Sequence, residues 1–338
     1  MSSFNNSLSH SNHNVSVDFL KVIATIFVIR LHSGIGSQCP AYTYYLAGCA
    51  VPIFFMINGG FILNRASMSW KYAGKKIAKI LILTSLWSVL YTISLLVLKH
   101  KWNNPIIFLI NSFLQKGGYG NFWFLGALVL LYLILPILYK FFNEKKYSAI
   151  ILTLSFGLLC ALIDVISIHR FLLGRDAVPK MIPQVFRLWT WIFYFCLGGT
   201  AFKYSSFLKN IRFSLRVGLL IITSIIAGPL QYLLVNRWYQ YYSPEYAFDN
   251  LLVILWNITI ISFFISLNMN KGLILISKLA PLTLGIYIIH GILIILLNAV
   301  GLFNYSLWYI NTPLLFIGAM IITYIMQKIP IVKKLVIL

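Results

Sequence analysis

Long apolar stretches separated by short polar ones run along almost the whole chain, without the strong two-residue alternation that marks the strands of a membrane barrel. An apolar stretch of about 20 residues is long enough to cross a bilayer as an α-helix. The pattern therefore predicts an all-α fold, a polytopic membrane helix bundle. The predicted bundle has about ten transmembrane helices. They lie at residues 17–34, 44–63, 77–98, 122–141, 147–168, 188–203, 213–235, 250–268, 282–300 and 308–328.

The polar segments divide the chain simply. Residues 1–16 are predicted to be a polar cytoplasmic segment, 17–328 the transmembrane domain and 329–338 a cytoplasmic tail. The start of the chain lacks the positive region of a cleavable signal peptide, so we expect the first helix to remain in the mature protein. Residues 102–121 are amphiphilic, and their apolar part is too short for a membrane span. This favours an interfacial or re-entrant segment that ends in a glycine-rich turn.

Composition supports a membrane protein. Hydrophobic residues make up 60% of the 338 residues and charged residues only 10%, with a mean hydropathy of +0.87. A soluble globule of this size usually has about a quarter of its residues charged. The net charge of +21 does not predict nucleic-acid binding, because the basic residues are spread over short segments between helices instead of forming one basic face.

The basic residues instead indicate an orientation. If the amino terminus is cytoplasmic, seventeen of the 27 Lys and Arg residues fall on the cytoplasmic side of the predicted helices and eight on the outer side. Lys21 and Arg30 lie within the first helix. Membrane proteins carry their excess of Lys and Arg in cytoplasmic loops, so both termini are predicted to be cytoplasmic.

Two polar residues in the first predicted helix indicate function. A charged or titratable group at membrane depth costs from a few kcal/mol upward, and it normally faces protein or water. Lys21 and His32 are eleven residues apart, which places them about 20° apart around a helix and about 16 Å apart along its axis. Arg30 falls on about the opposite face, and Asp18 lies one turn before Lys21, where an ion pair is favoured.

Residues 236–250 form an outer segment rich in aromatic side chains, which also holds Glu245 and Asp249. Aromatic residues at this depth usually form the interfacial belt of a membrane protein. A sugar-stacking platform flanked by carboxylates is the alternative. The four cysteines show no metal-ligand spacing, so we expect no metal site; a Cys39–Cys49 disulfide near the outer face is possible by position.

Five motifs, in order along the chain, resemble those of the acyltransferase-3 family of bacterial integral-membrane O-acyltransferases. They are Asp18–Lys21 with His32, Val51–Phe61, Lys76–Lys79, Phe122–Pro136 and Leu284–His290. Three positions depart from the family pattern. Lysines stand at 76 and 79 where the family usually has arginines, which removes bidentate phosphate recognition but keeps the charge, and Asn58 stands where serine is common.

The resemblance implies a multi-pass enzyme of the bacterial cytoplasmic membrane that moves an acyl group, most often acetyl, from cytoplasmic acetyl-CoA to a hydroxyl of a cell-surface glycan or lipid-linked oligosaccharide. The cations expected to hold the phosphates of the donor are Lys21, Lys75, Lys76 and Lys79. His32 is then the catalytic residue, as a general base or as an acyl acceptor. Its acid partner stays open among Asp164, Asp176, Glu245 and Asp249.

Other residues of the motifs are possible active-site lining: His290, Asn58, Trp123, Tyr287 and Asp18. Each has a structural alternative. His290 could tie two helices together, Trp123 could be an interface anchor, Lys21 could extend to the membrane surface, and the lysines at 76 and 79 could follow the positive-inside rule without any ligand.

Two other classes of function are alternatives. A glycan or lipid-linked sugar transporter would use the same buried polar groups without making bonds, but the chain lacks the paired, glycine- and proline-broken helices of two similar halves. A scaffold for glycan-synthesis enzymes would have no need of Lys21 and His32 at membrane depth.

Overall fold

The computed structural model describes residues 14–34, 41–100, 102–116, 119–267 and 270–337, and over these ranges the chain is helical without a strand. The first helices are α1 (Val15–Ser33), α2 (Ala41–Ala47), α3 (Ala50–Leu63), α4 (Trp70–Lys99), α5 (Pro105–Phe113), α6 (Trp123–Asn143), α7 (Ser148–Leu172) and α8 (Val178–Met181). The remaining helices are α9 (Leu188–Lys203), α10 (Ser205–Asn210), α11 (Phe213–Tyr232), α12 (Leu251–Ile265), α13 (Lys271–Ser277), α14 (Thr283–Ala299) and α15 (Trp308–Lys328).

Seven helical segments in the described ranges are long and apolar enough to cross a membrane: Tyr42–Leu63, Trp70–Val97, Gly120–Asn143, Ser148–Leu172, Phe213–Trp238, Lys271–Ala299 and Tyr305–Lys328. The all-helical membrane bundle is thereby confirmed. The other three predicted spans also form helices, but α1 carries Asp18, Lys21 and Arg30, and α9 and α12 are only 16 and 15 residues long. The total of ten spans and the cytoplasmic termini therefore stay predictions.

Helix ends differ from the predicted ones where local chemistry decides them. The third predicted span begins at residue 77, whereas α4 begins at Trp70 because the Ser69 hydroxyl accepts a hydrogen bond from the Tyr72 amide at 3.1 Å. The basic residues from Lys71 to Lys79 therefore lie on the first turns of α4. The predicted span leaves Lys71, Lys75 and Lys76 in the loop before the helix.

The second predicted span is divided in two. It breaks between α2 and α3 at Gly48 and Cys49. A Cβ atom on Gly48 would lie 2.6 Å from the Cβ atom of Pro244, so this break lets the segment before α12 approach closely. The predicted interfacial segment contains the short helix α5, which begins at the Asn104 cap and stacks Phe108 on Tyr91 at 4.4 Å between ring centroids.

Helices α3 and α9 cross with their backbones in close contact. A Cβ atom on Gly59 would lie 1.8 Å from the Phe195 carbonyl oxygen, and one on Gly198 would lie 1.8 Å from the Met56 carbonyl oxygen. Only glycine permits backbones to approach this closely, as in other membrane helix pairs. The crossing fixes α3, which carries part of the site described below.

Contacts between helices show which residues share an end of the bundle. The Lys21 ammonium lies 4.9 Å from the centroid of the Phe61 ring, so the start of α1 adjoins the end of α3. At the opposite end, Gly34 packs on Tyr305, just as Gly48 packs on Pro244. The segment before α12 and the turn before α15 therefore lie beside the His32 end of α1.

The cysteines that the structure describes are Cys49, Cys160 and Cys196, and all three are buried free thiols. Buried thiols in apolar sequence pack as small hydrophobic side chains. Cys39, and with it the possible bridge to Cys49, lies outside the described residues.

Candidate functional site

A cavity of about 1030 Å³ extends through the bundle from the Lys21 end of α1 to its His32 end. Its wall is built mainly by α1, α3, α4, α6 and α14, and the outer segment before α12 contributes at one end. The cavity contains both members of the pair that the sequence singled out, since Lys21 and His32 each line it. The eleven-residue spacing does place both side chains on one wall.

Three lysines line one end of this cavity, Lys21, Lys76 and Lys79, and we call this end the basic end. The Lys21 ammonium donates to the Asp18 carboxylate at 2.8 Å, which is the local ion pair that the spacing predicted. Asp18 is buried beside the cavity and is not among its lining residues. It neutralises Lys21 in part, so Lys76 and Lys79 contribute most of the positive charge here.

Lys75 lies apart from this group. It is exposed on α4 and does not line the cavity, whereas Lys76, the next residue, is half-buried and does. Around α4, Lys79 lies about 40° from Lys75 and about 60° from Lys76, so Lys75 stands at the edge of the helix face that lines the cavity, just outside it. The structure thus divides the three lysines that the sequence grouped together.

Two histidines meet on the cavity wall, towards the end of α1 away from Lys21. The ring centroids of His32 on α1 and His290 on α14 are 5.4 Å apart, and both residues line the cavity. Nδ1 of His290 lies 3.1 Å from the carbonyl oxygen of Ile286. A carbonyl only accepts, so Nδ1 donates the hydrogen of that bond and Nε2 is left as the acceptor nitrogen. His290 is therefore both a tie within its helix and a neighbour of His32.

Three further predicted residues line the same cavity: Asn58, Trp123 and Tyr287. Asn58 donates to the Phe54 carbonyl at 2.9 Å and accepts from the Tyr132 hydroxyl at 3.4 Å, which fixes its amide on the wall. Trp123 is buried and packs 5.2 Å from the Trp191 ring, so it is a wall residue of the cavity and not an exposed interface anchor.

Asn121 was not singled out from the sequence, yet it positions a predicted residue. The Tyr287 hydroxyl donates to the Asn121 carbonyl oxygen, and the Asn121 side-chain amide donates to the Tyr287 carbonyl at 3.2 Å. This reciprocal pair joins the start of α6 to α14 beside His290. The glycine-rich turn before Phe122 marked this segment in the sequence, but nothing in the sequence distinguished residue 121.

Tyr241, Tyr242 and Tyr305 line the other end, which we call the tyrosine end. Ser243 and Glu245 lie with them on the wall. Of the four carboxylates considered from the sequence, Glu245 is the one among the described lining residues. Burial raises the pKa of its carboxyl, while the nearby Arg187 guanidinium and a hydrogen bond from Ser243 lower it.

The other three carboxylates have structural partners. Asp164 accepts from Asn250 at 2.9 Å, and Asp249 accepts from the Thr190 hydroxyl at 2.6 Å. Asp176 pairs with Lys180 at 2.7 Å. The bonds of Asp164 and Asp249 join α7 and α9 to the segment that leads into α12, whereas the Asp176–Lys180 pair is local. None of the three acids lines the cavity.

Arg30 lies away from the cavity, on the face opposite to Lys21, as the helical spacing predicted. It is buried, donates to the Thr43 hydroxyl at 3.0 Å and lies 4.3 Å from the centroid of the Trp308 ring. It therefore joins α1, α2 and α15 near the tyrosine end.

Comparison with known proteins agrees with this architecture. A family model described as an acyltransferase domain matches residues 14–326, which include every helix described above except the last two residues of α15. An amino-acid racemase of Enterococcus faecalis is 24% identical over 314 residues, covering 84% of this chain and 42% of that protein. The chain thus spans less than half the length of that relative. No solved structure matches the chain.

Proposed function

The chain belongs to the acyltransferase family whose model matches residues 14–326, and from that membership we propose a specific reaction. The protein transfers an acetyl group from acetyl-CoA to a hydroxyl of a cell-surface glycan or lipid-linked oligosaccharide. The observation that carries the proposal is one cavity whose wall carries lysines at one end and two neighbouring histidines farther along α1.

The basic end suits the donor. Coenzyme A carries phosphate groups on its nucleotide, and ammonium groups attract phosphate as point charges. Lys76 and Lys79 are on the cavity wall at this end, with Lys21 beside them. The thin pantetheine arm can then extend along α1, which brings the thioester towards His32.

His32 is the proposed catalytic residue. As a general base, its neutral imidazole takes the proton of the acceptor hydroxyl while that oxygen attacks the thioester carbonyl carbon. The carbon–sulfur bond then breaks, and the thiolate of coenzyme A leaves and takes up a proton. In the second path, the His32 ring takes the acetyl group first and passes it to the hydroxyl. The reactants and products are the same in both paths.

The orientation follows from the basic residues. The positive-inside rule places the basic end at the cytoplasm, where acetyl-CoA is made, and the tyrosine end at the outside. The acceptor then enters from the side opposite to the donor. In this proposal the chain lies in the bacterial cytoplasmic membrane with both termini inside.

The experiment uses the full chain in nanodiscs. The wild-type protein should bind acetyl-CoA and release free coenzyme A when cell-surface glycans are added. His32→Ala should lower the release by at least about 100-fold and keep donor binding. His169→Ala is the matched control, because His169 is exposed on α7 and does not line the cavity.

Two results would contradict the proposal. One is a wild-type protein that neither binds acetyl-CoA nor transfers acetyl to the whole glycan pool. The other is movement of the glycan across the membrane of sealed proteoliposomes that contain the protein, without coenzyme A release, which would support the transporter alternative.

A further inference from the structure

The charges on the cavity wall change sign along its length. Lysines line the basic end, while Glu245 is the acidic residue on the described part of the wall and lies at the tyrosine end. An acceptor that approaches His32 from the tyrosine end must therefore pass a carboxyl group. Like charges repel, and such a group selects against anionic ligands.

Glu245 is held in place by a buried arginine. Arg187 donates from Nη1 to the Glu245 carbonyl oxygen at 3.1 Å and from Nε to the Ile182 carbonyl at 3.1 Å. Its guanidinium also lies 4.8 Å from the centroid of the Tyr246 ring. Arg187 itself is 2% exposed and does not line the cavity. It thus fixes the main chain at Glu245 from behind the cavity wall, and its charge favours the ionised form of the Glu245 carboxyl.

The tyrosines beside Glu245 offer flat apolar faces. Tyr241 and Tyr242 are exposed and line the cavity, and the Tyr241 ring packs edge-on against Tyr246 at 4.2 Å between centroids. Lys180 lies 5.8 Å from the centroid of the Tyr241 ring, but its ammonium is paired with Asp176 at 2.7 Å. Tyrosine combines a large apolar face with a hydroxyl that can donate or accept, which matches the mixed surface of a sugar ring.

We propose that Tyr241, Tyr242, Ser243 and Glu245 form the acceptor subsite, and that this subsite takes neutral sugars and rejects acidic ones. Sugar hydroxyls donate hydrogen bonds to the Glu245 carboxylate, and a sugar ring packs on the tyrosines. A uronic acid or phosphate-bearing sugar meets the same carboxylate as a like charge. This inference rests on the proposed function, because it names the acceptor of the reaction.

The test is a binding comparison by calorimetry, with the full chain in nanodiscs and acetyl-CoA present. The probes are N-acetylchitotetraose, which is neutral, and tetragalacturonic acid, which is anionic and of equal length. We expect the wild-type protein to bind the neutral probe about tenfold or more tightly than the anionic one. Glu245→Gln keeps the size of the side chain and removes its charge, so the difference should shrink to about threefold or less.

Glu144→Gln is the matched control, because Glu144 is exposed at the end of α6 and does not line the cavity. It should keep the wild-type preference. Three results would overturn the acceptor subsite alone. They are equal wild-type affinities for the two probes, an unchanged preference in Glu245→Gln, and a protein that binds acetyl-CoA but neither sugar probe. Failure to bind acetyl-CoA in a separate titration would overturn the proposed function, and the subsite with it.

Discussion

At the basic end, the cavity wall carries Lys21, Lys76 and Lys79; at the tyrosine end, it carries three tyrosines and Glu245. The basic end is built from regular helix, on the first turns of α1 and α4. The tyrosine end is built from the irregular segment before α12 and the turn before α15. In the proposed function, the basic end binds a polyanion and the tyrosine end binds an uncharged polar ring, and His32 and His290 line the same cavity.

The largest expected effect is the loss of ligand binding at both ends of the cavity together. In Gly198→Ala, the new Cβ atom would lie 1.8 Å from the Met56 carbonyl oxygen, so α3 and α9 must move apart. We expect a loss of about 3 kcal/mol or more in the free energy of unfolding, with loss of donor and acceptor binding alike. Thermal unfolding followed by tryptophan fluorescence measures the stability.

Gly74→Ala is the control for that change. Apart from the neighbouring residues and backbone of α4 itself, no atom lies within 4 Å of the position of a Cβ atom on Gly74, so an alanine fits within α4. Its stability should equal or exceed that of wild type by up to about 1 kcal/mol, since alanine favours helix. An equal loss of stability in both variants would contradict the role of the α3–α9 crossing.

The next effect concerns the centre between the two ends. His290→Asn can keep a side-chain donor near the Ile286 carbonyl but cannot take up a proton at neutral pH. We expect kcat to fall about 10- to 100-fold, while the Kd for acetyl-CoA stays at its wild-type value. Coenzyme A release measures the first and calorimetry the second. A wild-type kcat would show that His290 is only a structural tie within α14.

The smallest expected effect strengthens the basic end. Lys76→Arg with Lys79→Arg puts bidentate donors where the chain has point charges. We expect the Kd for acetyl-CoA to fall about two- to fivefold and acceptor binding to stay unchanged. Lys75→Arg is the control, since Lys75 is exposed and does not line the cavity. If Lys75→Arg lowers the Kd for acetyl-CoA as much as the double variant does, the lysines on the cavity wall do not contact the donor more closely than an exposed lysine.

The basic end was largely predictable from the sequence because helical periodicity fixes direction. The spacing of Lys21 and His32 was enough to place both on one wall, and Asp18 one turn away was enough to expect the ion pair that forms. Lys75 shows the limit of this reasoning. A cluster of lysines was visible, but which of them face the cavity depends on how α4 packs against its neighbours.

The tyrosine end was much less predictable because no period governs an irregular segment. Four carboxylates were possible partners of the site, and the sequence could not distinguish Glu245 from Asp164 or Asp249. Their separation depends on contacts between distant parts of the chain, such as Pro244 against Gly48. Asn121 was missed for the same reason, since its partner Tyr287 lies 166 positions away along the chain.

The central claim is that the donor and the acceptor use opposite ends of one cavity, and the KM values of two variants test it most directly. The double variant Lys76→Ala with Lys79→Ala should raise the KM for acetyl-CoA about tenfold and leave the KM for the glycan within about twofold. Glu245→Gln should raise the KM for the glycan about tenfold and leave the KM for acetyl-CoA within about twofold. If both variants raise the KM for the same substrate, or each raises both KM values equally, the two ends do not serve separate substrates and the account is wrong.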